Sequence, residues 1–290
     1  MNTLVEGRAG TGTGTATEVG SGLRRWLPGR ARRRALVSLI VFLLLWELGA
    51  RSKEWFGVAL PWIGHVPAPS GALRVWAGLL HDPGYWQSWG VSLLRVIGGF
   101  GMAMAVGIPF GLALASSRAF HQLAFPLFEV LRPIPPLAWV PAAIIFWPTP
   151  ELSIGFVTFI GAFFTIVINV VGGARSIDAR YFQAARAMGA SRWNLFRRIV
   201  LPATLPSIAV GASVGMGITW EVVVAAEMIS GGGNSGAAGG GLGFFIWNSY
   251  VGGAYDQIIV GMVSIGIAGY ACSAALRWLG TRVTPWLRRR

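Results

Sequence analysis

Apolar residues along this chain gather into long runs rather than recurring on one face of a helix. The runs cover 35–50, 89–115, 123–147, 152–173, 205–229 and 258–276. A helix needs about 20 residues to cross the hydrocarbon core of a bilayer, and only helices or closed barrels satisfy their backbone there. The pattern therefore predicts an all-α, polytopic membrane helix bundle with six transmembrane helices, the first of them short. The third run is interrupted by LRPIPPLAWVP, with Pro133, Pro135, Pro136 and Pro141. Proline lacks the amide donor and clashes one turn back, so this helix must break or kink, with protein or water satisfying the freed carbonyls. Between the first two runs lie VPAPS and an amphipathic segment, Ser70 to Leu80. It predicts a surface helix capped by Ser70, with Trp76 and Leu79 turned to lipid or protein. Trp46, Trp55 and Trp62 suit the outer interface.

The Gly- and Thr-rich stretch from Met1 to Gly22 has no apolar period. With the basic run that follows, it is read as a disordered cytoplasmic tail, 1–34, ahead of a transmembrane domain at 35–290. A cleaved signal peptide competes for the first run. The next residues, RSKEWF, offer no small-x-small cleavage site, so an uncleaved helix is preferred.

Composition agrees with the pattern. Hydrophobic residues make up 54% of the 290 and charged residues 12%, about half the charged share of a soluble domain. The net charge is +13, and Lys53 is the single lysine. The arginines stand at the edges of the apolar runs, which marks membrane topology rather than nucleic-acid binding. With the N-terminus inside, 19 of the 24 basic residues fall on the cytoplasmic side and three outside, while Arg95 and Arg132 lie within spans. Both termini and the loop 174–204 are thus expected in the cytoplasm. Cys272 is alone, and His65, His81 and His121 show no ligand spacing. No disulfide and no metal site are expected. The pairs Gly107/Gly111, Gly211/Gly215 and Ser213/Gly217 are spaced for close helix packing.

The loop is the most informative stretch: SIDARYFQAARAMGASRWNLFRRIVLP, Ser176 to Pro202. It predicts two short helices, the first capped by Asp178 and ended by Gly189, the second started by Ser191. Ala184, Ala185 and Met188 share one face of the first helix, a small-residue surface suited to a groove in another protein. Helices resting on the membrane, their arginines paired to lipid, are the plainer reading.

Gln183-Ala184-Ala185, Gly189, Ile199, Leu201 and Pro202 stand at the spacing EAA, three residues, G, nine residues, I-x-LP. This resembles the EAA motif of permease subunits in ABC importers that depend on a binding protein. Gln183 stands where the family usually has glutamate, keeping the shape and losing the charge. The stretch Phe128 to Trp139, FEVLRPIPPLAW, is similar to the third-span motif of the nitrate, sulfonate, taurine and bicarbonate permeases. VPAPS at 66–70, AAEM at 225–228 and GLG at 241–243 are similar to further landmarks of that group. The resemblance covers about residues 60–285. It implies a type I ABC importer-like permease fold and a homodimer with two ATPase subunits inside and a solute-binding protein outside. It also implies that the loop is the coupling element of the ATPase. ATP and Mg would then be bound by that partner, with no cofactor in this chain. Lys53 follows GARS, which is no phosphate-binding loop, and ISGGG at 229–233 lacks a nucleotide fold around it. The chain is read as a transport subunit without catalytic residues, moving a small oxyanion or organosulfonate. The alternative is a proton- or sodium-coupled secondary transporter without an ATPase partner.

Charges inside spans are costly and so face protein or a wet cavity. Glu129, Arg132, Pro133, Pro135, Pro136, Trp139, Glu221 and Glu227 are the candidates for a translocation path. For Glu129 and Arg132, three residues apart, structural pairing competes with an anion path. For Glu221 and Glu227 a proton relay belongs to the alternative. The glycine-rich stretch Gly231 to Gly243 is expected to be a flexible external loop.

Overall fold

A computed structural model describes residues 30–52, 66–230 and 240–286, with the side chains of 30–32 excepted. The tail expected at 1–34 lies almost wholly outside the described residues. So do Trp55, Trp62 and most of the glycine-rich stretch. The described chain is helical: α1 (Arg30–Ala50), α2 (Pro69–Leu79), α3 (Pro83–Ser116), α4 (Arg118–Leu131) and α5 (Val140–Phe146) come first. They are followed by α6 (Pro150–Arg175), α7 (Ala179–Ala187), α8 (Arg192–Ser230), α9 (Gly241–Val251) and α10 (Tyr255–Val283).

Among these, α3, α6, α8 and α10 are long and apolar enough to cross a membrane, and the bent pair α4–α5 can form a fifth span. The sixth expected span is α1, whose apolar stretch is the short run 35–50. Starts are set by local chemistry. Asp82 accepts from the Gly84 amide at 2.9 Å ahead of α3, and Thr149 accepts from Leu152 at 3.4 Å ahead of α6, each followed by a proline at the first helical position.

α6 is the centre. It packs most extensively against α8 and α3, and α10, α9 and α2 complete the body. The glycine pairs explain the close approach. A Cβ on Gly111 would stand 2.8 Å from Val170 Cβ, and one on Gly211 would stand 2.7 Å from Asn169 Cβ, both on α6. Gly107 and Gly215 meet Ile166 of the same helix. Gly217 has open space around it, so the Ser213/Gly217 pair makes no such contact. The core between these helices is Val96, Phe100, Ile166, Val170, Met216 and Trp220 with their neighbours.

Two expectations are corrected. Ser70 does not cap α2. It occupies the second helical position, and Glu47 of α1 takes the capping role. The Glu47 carboxylate accepts from the Ser70 amide at 3.0 Å and its hydroxyl at 2.7 Å, because an acceptor with full charge suits a helix N-terminus better than a hydroxyl. Arg51 pairs with the same carboxylate at 2.6 Å. Second, the glycine-rich stretch does not end as a loop. Gly241, Leu242 and Gly243 form the buried first turn of α9. Trp76 and Leu79, for which lipid and protein were both open, pack inward around Tyr85 and Val260.

Candidate functional site

Three constellations stand out. The first joins α7 to α8. Asp178 Oδ1 accepts from the Arg180 amide at 2.9 Å and starts α7. The helix ends with Met188 as its cap and Gly189 at φ +78°. The Gly189 amide donates to Arg186 O at 2.9 Å and the Ala190 amide to Ala185 O at 3.0 Å. These two bonds make a Schellman ending, which needs the left-handed residue that glycine supplies. Ser191 Oγ then accepts from Asn194 at 3.3 Å and starts α8. The second short helix does not stop. It passes through a π-helical turn, Phe196–Val200, and runs on as the span. Gln183, Ala184 and Met188 are exposed, whereas Ala185 is 7% exposed and faces the protein. Ile199, Leu201 and Pro202 are half-buried where α8 enters the bundle. The outer surface of this loop therefore carries exposed small and apolar side chains, with Arg180, Arg186 and Arg192 also exposed on it.

The second constellation is the proline break. α4 stops at Leu131, and the helical stretch Pro136–Phe146, a short 3-10 turn over Pro136–Trp139 followed by α5, leaves at 89° to α4. Ser153 Oγ donates to the Ala143 carbonyl at 3.0 Å, tying α5 to α6. Arg132 and Glu129 pair at 3.6 Å, both about half exposed at 47% and 48%. Arg132 and Pro136 line a cavity of about 210 Å³ against Gly161, Thr165 and Ile218. Pro133 and Pro135 are exposed, Trp139 packs against the Val140–Val157 cluster, and Glu221 is exposed on α8.

Glu227 is elsewhere, and it anchors the third constellation, at the membrane face opposite α7. It is 0% exposed. Arg95 Nη1 donates to its Oε1 at 2.9 Å, Ser92 Oγ donates to both oxygens at 2.8 and 2.9 Å, and the Gly243 amide donates to Oε2 at 2.9 Å. Ser92 Oγ also accepts from the Leu242 amide at 2.8 Å, and Arg95 Nη1 donates to Gly240 O at 3.2 Å. The free amides at the start of α9 are thus satisfied by a hydroxyl of α3 and a carboxylate of α8. Glu151, at the start of α6 and 61% exposed, takes the other side of the guanidinium through Nε at 2.9 Å and through Nη2. Both glycines are demanded by space. A Cβ on Gly241, at φ +75°, would strike the Glu227 carboxylate, and one on Gly243 would strike the Val224 carbonyl. Arg95 and Glu227 are legible in the sequence as separate charges within or near spans, whereas Ser92 and Glu151 are joined to them only by the fold. The available signal was that an arginine inside a span requires a carboxylate, and these two lie near the same face.

Residues 107–289 match the family described as binding-protein-dependent transport system inner membrane component. The chain is 33% identical over 261 residues to the nitrate import permease protein NrtB of Synechocystis sp., covering 87% of this chain and 89% of that one. It is 29% identical over 269 residues to the taurine transport system permease protein TauC of Escherichia coli, covering 90% and 92%. Among solved structures, a bacterial ABC transporter involved in the import of the acidic polysaccharide alginate superposes with TM-score 0.57. That match has 16% identity and covers 88% of this chain and 97% of that chain.

Proposed function

This chain belongs to the binding-protein-dependent transport system inner membrane components, and from that premise we propose how its parts divide the work. It is the membrane-spanning permease subunit of an ABC importer, and the ATPase is a separate subunit. Family membership displaces the alternative of a proton- or sodium-coupled secondary transporter. The proposal is that two copies form the pathway and that α7 with its Gly189 turn docks on the ATPase. Closure of two ATPases around ATP then draws the two α7 helices together and rocks the spans toward the outward-facing state. A ligand shifts such an equilibrium only by binding one state better, which ATP does at the ATPase interface. The cargo is a small oxyanion or organosulfonate such as nitrate, taurine or bicarbonate, handed over by an external binding protein. Support comes from relatives named for nitrate and taurine that cover nearly the whole chain. Arg132, at the cavity beside the proline break, is the cation proposed to meet it.

The observation that carries the coupling proposal is the exposed helix α7, ended by a Schellman turn that leads within a few residues into the long helix of a span. Its test uses Gly189→Val and Ala184→Trp. Ala184 is chosen because it is exposed, whereas bulk at the buried Ala185 would disturb the loop itself. Both variants are expected to reach the membrane in normal amount, to lose ATPase in pull-down, and to lose uptake. Normal uptake by both would remove the loop from the coupling path.

A further inference from the structure

At the arginine-rich face, the ends of three spans meet around one cavity of about 530 Å³. Ser176 comes from the end of α6, Arg198 and Pro202 from the entry of α8, and Trp286 from the segment after α10, while Asp178 and Tyr181 close the wall beside α7. Because α6 leaves the bundle and α8 enters it at this level, the cavity lies at the depth of lipid headgroups. Its lining is divided by chemistry. Among the described residues no carboxylate lies within ion-pair distance of Arg198. The Asp178 carboxylate on the same wall is engaged by the Arg180 amide at 2.9 Å and faces the Arg180 guanidinium at 3.9 Å. Tyr181 and Trp286 are exposed aromatics with a polar edge, the residue type that settles where headgroups meet acyl chains. Pro202 and the indole add an apolar wall.

We propose that this cavity binds the headgroup of an anionic phospholipid, with Arg198 on the phosphate and Trp286 and Pro202 against the glycerol and first acyl carbons. A soluble phosphate would satisfy the cation and leave the apolar wall unused. A pocket between spans that offers an arginine beside an apolar wall at such a face is suited to the phosphate of an anionic lipid. Since α7 forms part of the wall, an occupied cavity also fixes where that helix sits. The inference goes beyond the importer reading and does not rest on it, because its test reads lipid and not transport.

The full chain is purified in mild detergent with equal amounts of phosphatidylglycerol and phosphatidylethanolamine, and retained lipid is measured by native mass spectrometry. Wild type is expected to retain phosphatidylglycerol preferentially. Arg198→Gln should reduce that preference about fivefold, the share of one arginine at an anionic surface. Arg198→Lys should keep it, Trp286→Ala should weaken it, and Arg118→Gln, an exposed arginine away from the cavity, should leave it unchanged. Unchanged retention in Arg198→Gln overturns the proposal. Displacement of the lipid from wild type by millimolar inorganic phosphate also overturns it, by assigning the cavity to a soluble anion. Should Arg198→Gln fail to fold, the lysine variant and the phosphate competition still decide.

Discussion

Glu227 and Glu151 share one arginine and differ in what surrounds them. Glu227 is sealed among α3, α8 and α9, while Glu151 stands at the rim. Removing Glu227 leaves Arg95 its Glu151 partner but orphans the buried Ser92 hydroxyl and Gly243 amide, at about 1–3 kcal/mol for each buried donor without an acceptor, whereas an ion pair with an exposed partner is worth about 0–1 kcal/mol. Glu227→Ala is therefore expected to lower the thermal midpoint of the detergent-solubilised protein sharply, and Glu151→Ala to change it little. The reverse order would mean that the rim pair, and not the sealed one, holds α9. Two glycines make a parallel contrast. Gly189 has φ +78° and nothing within 4 Å of a built Cβ, so its constraint is conformational. Asparagine, which tolerates that region, should be accepted there at a cost below the ~1–2 kcal/mol of other side chains. Gly243 has no such φ but abuts a backbone carbonyl. Gly243→Ala should displace the start of α9 and reduce protease resistance of that segment. Equal tolerance at both sites would contradict the packing described.

At the scale of elements, legibility divides by whether the signal is local. Long apolar runs declare spans because length alone satisfies the bilayer, and Asp178, Ser191 and Gly189 declare the loop helices because caps act within one turn. α9 was not legible, since an eleven-residue helix opening on GLG follows a glycine-rich stretch and has no cap of its own. Its cap comes from Ser92 and Glu227, distant in sequence. Ser70 misled for the same reason, as the better acceptor belonged to another helix. The break between α4 and α5 was legible from its prolines, but whether Arg132 pairs or binds was not. Arg132 stands 3.6 Å from Glu129 and also lines the cavity beside the break. If pairing is the whole role, the Glu129→Gln, Arg132→Gln double variant should recover much of the uptake that either single change loses. If Arg132 meets the anion, the double variant should transport no better than Arg132→Gln.

For the whole molecule, the arginine distribution predicts an orientation that can be checked directly. α7 and the entry of α8 belong to the face where basic residues gather, and the Arg95–Glu227 cluster belongs to the other. With Cys272 replaced, a cysteine introduced at Arg192 should be labelled only after the membrane is permeabilised, and one introduced at Asn248 should be labelled in intact cells. External labelling at position 192 would invert the topology and, with it, the side on which an ATPase can dock.

That α8 is one continuous helical span from Arg192 to Ser230, its π-helical turn near one end, makes it a lever. Its 39 residues give a rod of about 58 Å at 1.5 Å per residue. A tilt of about 5° around its midpoint would carry each end roughly 2.5 Å, in opposite directions. One end holds the loop beside α7, and the other holds the carboxylate that fixes the first turn of α9. A push small enough to leave every helix intact at one face would thus arrive at the other as a displacement comparable to a hydrogen-bond length. The amides of Leu242 and Gly243 are where it would first be felt.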